Sequence, residues 1–161
     1  MKARWIRCGI VEPRQFEADC MRLALAQRQD AAPILAWARS EEQYLFAVVA
    51  PRKHAPGRAT RWMAWALAPA VATYRQFGLP AYLDGEGIWL HGQRIAEAKV
   101  WEIRECMLVA SSFLLRFPEA CVVTPSAELE EAFRLRIEAQ HGWQFDHSWP
   151  TTPERVDYAL A

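Results

Sequence analysis

The stretch Gly92-Gln93-Arg94-Ile95-Ala96 holds the residues with the clearest chemical potential. A glycine turn feeds a guanidinium onto a strand, and the small Ala96 and Ala98 follow in alternation. A planar guanidinium above a floor of small side chains is suited to clamp a carboxylate or phosphate. The same residues also read as a strand-edge arginine with its alanines packed under a helix. On regular alternation Arg94, Ala96 and Ala98 share one face, and Glu97, Lys99 and Trp101 share the other. Arg94 and Lys99 would then lie about 16 Å apart along the strand and point to opposite sides.

Two other places hold candidate chemistry. Arg52, Lys53, His54 and Arg58 bring four cationic or titratable groups into a short loop, which reads either as an anion-binding loop or as a solvated surface. Cys121 is a candidate nucleophile, although a useful thiolate needs exposure and a cationic neighbour, and Ala120-Cys121-Val122-Val123 supplies neither. His91, His141 and His147 form no recognised ligand spacing, so neither a metal nor a cofactor is expected. Trp89 and Trp101 read as core aromatics.

The elements that would position these residues follow from pattern. Phe16, Cys20, Leu23, Ala24 and Gln27 repeat at helical spacing within Pro13–Gln29, with Pro13 in the first turn. Strands are expected at Ile34–Arg39 and Gln43–Ala50, joined by Ser40-Glu41-Glu42 as an antiparallel hairpin. The basic loop runs Pro51–Thr60. A second helix, capped by Thr60 and kinked at Pro69, carries Met63, Leu67, Val71, Tyr74 and Phe77 on one stripe, and stops at Gly78 and Pro80. Strands are expected at Ala81–Leu83, Ile88–Leu90, Arg94–Ile103 and Met107–Phe117, the last stopped by Pro118. Ser126 caps a third helix that ends at Gly142, and the tail from Trp143 lies over the core. Strands grouped in hairpins with helices between the groups indicate an α+β fold, mostly antiparallel with about three helices, rather than a doubly wound parallel sheet.

Composition bounds the rest. The 161 residues are 52% hydrophobic and 24% charged, enough to bury the core of a single domain over residues 1–161 without disulfides. Nineteen basic and nineteen acidic residues cancel, so no overall field favours nucleic acid or an anionic membrane, and weak repulsion favours a homo-oligomer. Charges interrupt the apolar residues of Met1–Ile10, unlike a signal peptide, and the scattered Cys8, Cys20, Cys106 and Cys121 suit reduced thiols in a cytoplasmic protein. Eight tryptophans imply heavy aromatic packing or exposed aromatic surface.

The element order together with Glu86-Gly87-Ile88-Trp89-Leu90-His91-Gly92-Gln93-Arg94-Ile95-Ala96 resembles the biotin and lipoate protein ligase family. The resemblance implies the class II synthetase-like catalytic domain of those ligases in reduced form. In that family a glycine turn leads into Gly-Arg-Lys-Ile-Ala-Gly, whose lysine contacts the acyl carboxylate and the phosphate during adenylation. Gly92, Ile95 and Ala96 match. Arg94 stands at the lysine, Glu97 at the following glycine, and Arg52–Thr60 has a single glycine where the family's triple-glycine segment is expected. The resemblance therefore implies a ligase-like protein without adenylation, binding a small acyl ligand or a lipoyl or biotin carrier domain through Arg52, Lys53, Arg58, Gly92, Arg94 and Ala96. A non-catalytic interaction module is one alternative. Another is an acyltransferase taking a pre-activated donor, with Cys121 as nucleophile by analogy with the family's octanoyl transferases.

Overall fold

The computed structural model describes residues 1–114, 126–148 and 154. Nine strands and three helices are defined among them. They are β1 (Lys2–Ile10), α1 (Pro13–Ala26), β2 (Ile34–Arg39), β3 (Gln43–Pro51), α2 (Trp62–Gln76), β4 (Tyr82–Asp84), β5 (Gly87–Leu90), β6 (Gln93–Glu97), β7 (Lys99–Ile103), β8 (Cys106–Leu114), α3 (Ser126–His141) and β9 (Gln144–Ser148). Six strands form one sheet in the order β7-β8-β3-β2-β1-β9, and β4-β5-β6 form a small second sheet. Only β1 with β2 and β1 with β9 run parallel; the other pairings are antiparallel, so the fold is α+β as the hairpin grouping predicts.

Two neighbouring strands, β1 and the edge strand β9, were absent from the pattern-based expectation. In β1 the alternation of Ala3 and Trp5 with Lys2 and Arg4 is interrupted at Trp5-Ile6, where both residues are buried. That run departs from period two because one side chain enters each face of the sheet. Gln144–Ser148 has only Phe145 as a large apolar residue, and pairing with β1 makes it a strand.

Helix α1 ends at Ala26, three residues before the expected stop, because Gln27 is already extended. Helix α2 is preceded by a 3₁₀ turn at Ala59–Arg61, so Arg61 rather than Thr60 is its N-cap and no side chain caps it. It runs through Pro69 without interruption, and the Thr73 hydroxyl donates to the Pro69 carbonyl at 2.7 Å. The expected run of the last strand from residue 115 to Phe117 and its stop at Pro118 lie outside the described residues.

The large sheet separates two cores. On one face, α2 and α3 cover Trp5, Trp37, Tyr44, Phe46 and Phe113, with Phe133 of α3 wedged among them at ring-centroid distances of 4.7 Å to Phe46 and 5.0 Å to Phe113. On the other, α1 alone among the described elements covers mostly smaller side chains, including Ile34, Ala36, Ala38, Ala47 and Leu108. Trp5, Trp37, Trp62 and Trp143 are buried, so much of the tryptophan content is core. No helix among the described residues is long and apolar enough to cross a membrane.

Candidate functional site

The expected single strand Arg94–Ile103 is two strands in two sheets, with the change at Ala98. Glu97 faces Gly87 in the small sheet, whereas Lys99 faces Ala110 in the large one. The crossing is pinned from both sides. Ala98 N–H donates to the Glu86 carbonyl at 2.8 Å, and the Ser111 hydroxyl donates to the Glu97 carbonyl at 2.7 Å.

A bulge corrects the expected placement of Arg94. Ile88 pairs with Ala96 and Trp89 with Arg94, leaving Ile95 as the extra residue. One inserted residue reverses the alternation upstream of it. Arg94 therefore leaves the side of Ala96 and Ala98, which are buried in the α2/α3 core, and joins Glu97. Its guanidinium lies 3.4 Å from the Glu97 carboxylate, with the two side chains 47% and 63% exposed. The aliphatic stem crosses the backbone of Gly87, where an added Cβ would meet Arg94 Cδ at 2.6 Å and the Ala96 carbonyl at 2.7 Å. Gly87 thus serves a close approach, a role its place in the sequence did not reveal. Gly92 instead serves the β5–β6 turn: it and His91 both have positive φ, 78° and 51°.

Lys99 lies on the α1 side of the large sheet, in step with Trp101 and Ile103, which pack on the α1 core. Its ammonium is 2.7 Å from the Glu17 carboxylate. That hydrogen bond, helped by the charges of Glu17 and Glu97 and opposed by partial burial and Arg14, holds the Lys99 pKa above its ordinary value. Along this rim the charges read Arg94, Glu97, Lys99, Glu17, alternating in sign.

The rim borders a cleft of about 170 Å³ lined by Pro13, Phe16, Glu17, Gln43, Leu45, Glu97, Lys99, Ala110, Ser111 and Ser112. A wider cleft of about 460 Å³, running past Ile10–Glu12 and Ser40–Glu42, shares Pro13 and Gln43 with it. The first alone is smaller than the usual small-molecule site, and the second brings the groove into that range. Phe16, Leu45 and Ala110 supply apolar wall, and Lys99 supplies the cation at one end.

The basic loop is elsewhere. Arg52 follows Pro51, at the far end of β3 from Gln43, about 27 Å away along an extended strand. Its guanidinium pairs with Glu102 at 2.9 Å. Glu102 is in step with Val100, which packs on the α2/α3 core, so this pair projects to the opposite face from Lys99. Lys53 and Arg58 are exposed, and burial together with neighbouring Lys53 lowers the His54 pKa. The Arg52–Glu102 pair and Lys99 thus stand on different faces of the large sheet.

The remaining candidates supply no activated nucleophile among the described residues. Cys121 lies outside them. Burial pushes the Cys8 thiol up to about 12, with Asp19 adding to the shift, and pushes Cys106 up to about 11; Cys20 is also raised well above its ordinary value by burial. His91 and His147 are exposed, whereas His141 stacks on Trp65 with ring centroids 4.2 Å apart. Trp89 and Trp101 are half-buried, and the Trp89 indole N–H donates to the Asp84 carbonyl.

No protein-family model and no curated protein matches the sequence. Solved structures do match the fold. A putative lipoate protein ligase from T. acidophilum with bound lipoic acid superposes with a TM-score of 0.78 at 12% identity, covering 96% of this chain and 92% of that one. A lipoate-protein ligase A bound with ATP gives 0.79 at 14% identity, covering 96% and 91%. A biotin protein ligase from Aquifex aeolicus gives 0.59 at 11% identity, covering 87% and 69%. The chain therefore has the fold of the lipoate and biotin protein ligases.

Proposed function

We propose that this ligase-fold protein binds a carboxylate-bearing acyl chain in the groove beside α1 without adenylating it. The observation that carries the reading is the pairing of both rim cations with carboxylates of the same chain, Arg94 with Glu97 and Lys99 with Glu17. A phosphate developing beside them would meet two negative charges already in place. Exchanging those pairs for an acyl phosphate offers little net electrostatic gain at an exposed rim. A carboxylate entering along Phe16 and Leu45 has only to take Lys99 from Glu17, while its chain gains apolar contact. The shared fold of a protein holding lipoic acid supports an acyl ligand of this class.

Isothermal titration with octanoate and lipoate, beside a pyrophosphate-exchange assay with ATP and magnesium, tests this. Octanoate is expected to bind, Glu17→Gln to tighten it several-fold by releasing Lys99, Lys99→Ala to remove it, and exchange to stay at background. Measurable acyl-adenylate would sink the non-adenylating half of the proposal. Absence of binding by both acids would sink the other half and favour a carrier domain as the ligand. A covalent acyl adduct lost in Cys121→Ala would instead establish the transferase.

A further inference from the structure

We propose that copies of this chain associate head to tail: Ile10 of one copy, rimmed by Glu12, Glu41 and Glu42, enters the groove between α2 and α3 of the next. Ile10 is 83% exposed, more than any other large hydrophobic among the described residues. It ends β1, beside the β2–β3 turn that carries Glu41 and Glu42. None of Glu12, Glu41 and Glu42 forms an ion pair among the described residues. The nearby Arg39 leans over the Tyr44 ring, 6.0 Å from its centroid, and does not line this cleft. An apolar knob ringed by unpaired carboxylates is the result.

The complementary surface lies between α2 and α3. Ala68, Val71, Ala72 and Leu83 line a groove of about 600 Å³ that also carries Arg75 and Arg136 and no carboxylate. From Ala68 to Gln76 it extends about 12 Å along α2, room for a branched side chain and its flanks. Each arginine is oriented through its Nε: Arg75 donates to the Ala81 carbonyl at 3.0 Å and Arg136 to the Gln76 side chain at 3.1 Å. Neither forms an ion pair among the described residues. Apolar floor meets apolar knob, and unpaired cations meet unpaired anions. With nineteen charges of each sign, no net repulsion opposes the approach.

Knob and groove are different patches of the chain, so each contact is heterologous and adds copies in a chain or ring. The contacting surface is small beside that of a permanent assembly, which makes the association reversible and salt-sensitive. A chain built this way covers the wide cleft of the acyl groove, so assembly and ligand entry would compete.

Sedimentation velocity on the full chain, at about 100 μM and low salt, is the test. Species that grow with concentration and dissociate in high salt are expected. Glu41→Arg with Glu42→Arg should give monomers, as should Arg136→Glu, and an equimolar mixture of the two variants should associate again because the reversed charges are complementary. That rescue separates a lost contact from a misfolded variant. A wild-type monomer, a closed dimer that does not grow, or variants that associate as well as wild type would each overturn the proposal. Arg136 is remote from the acyl groove, so octanoate binding by Arg136→Glu is read independently of assembly.

Discussion

The two faces of the large sheet are packed to different standards. Beneath α2 and α3, aromatic rings from β1, β2, β3, β8 and α3 interlock, while beneath α1 the sheet presents mainly alanine, isoleucine, leucine and cysteine. Between α1 and the sheet, Pro13, Phe16 and Glu17 on one side and Gln43, Leu45 and Ser112 on the other line the groove. One face therefore supplies stability, and the thinner one leaves space for a ligand. Electrostatics divide in the same way. The Lys99 rim faces α1, and the Arg52–Glu102 pair faces the other side.

The largest effect should come from making the same truncation on both faces. Phe133→Ala removes the ring that joins Phe46, Phe113, Trp5 and Trp37, and should cost about 4 kcal/mol. Phe16→Ala, beside an open cleft that water can enter, should cost about 2 kcal/mol. Denaturant unfolding of the two variants measures both, and equal losses would erase the distinction between the faces.

Gly87→Ala should cost about 2 kcal/mol and displace Arg94, because the new Cβ meets a backbone carbonyl that cannot rotate away. A Gly87→Ala protein as stable as wild type would show that Arg94 does not lie across β5.

A smaller effect is set by pH on the aromatic face. Burial lowers the His141 pKa to about 4, and its Nε2 has no hydrogen-bond partner among the described residues. The unfolded chain takes up a proton below about 6.5 while the folded chain resists, so stability is complete above that pH and declines toward 4, by about 1 kcal/mol after allowance for partial exposure. Replacing His141 with Gln should flatten that part of the pH–stability curve; an unchanged curve would exclude His141 as its cause.

The smallest change in stability should accompany the sharpest change in binding. Ala110→Leu places bulk at the groove wall, costing about 1 kcal/mol or less where there is room to relax, and should abolish octanoate binding measured calorimetrically. Retained binding would move the ligand off this face.

Several elements were legible because local rules and tertiary packing agree. The stripe Phe16, Cys20, Leu23 and Ala24 does face the core in α1, and the Ser40–Glu42 turn does join antiparallel strands. Gly92 was recognised as a turn glycine. The site was harder to read, because its geometry depends on breaks in periodicity. The Ile95 bulge moves Arg94 to the side of Glu97, and the sheet change at Ala98 sends Lys99 toward Glu17, a residue far away in sequence. Neither a bulge nor a partner more than eighty positions distant leaves a local signature.

What the sequence by itself determined is the α+β class, the three helices, the β2–β3 hairpin and the placing of a basic residue after a glycine turn. Hydrophobic periodicity and turn chemistry act over a few residues and are written in the chain. The tertiary structure alone decided that β1 and β9 are strands, that Arg52 and Lys99 project to opposite faces of the large sheet, and that each rim cation meets a carboxylate of its own chain. Strand pairing and burial arise between distant segments, and only the assembled sheet specifies which side chains share a face.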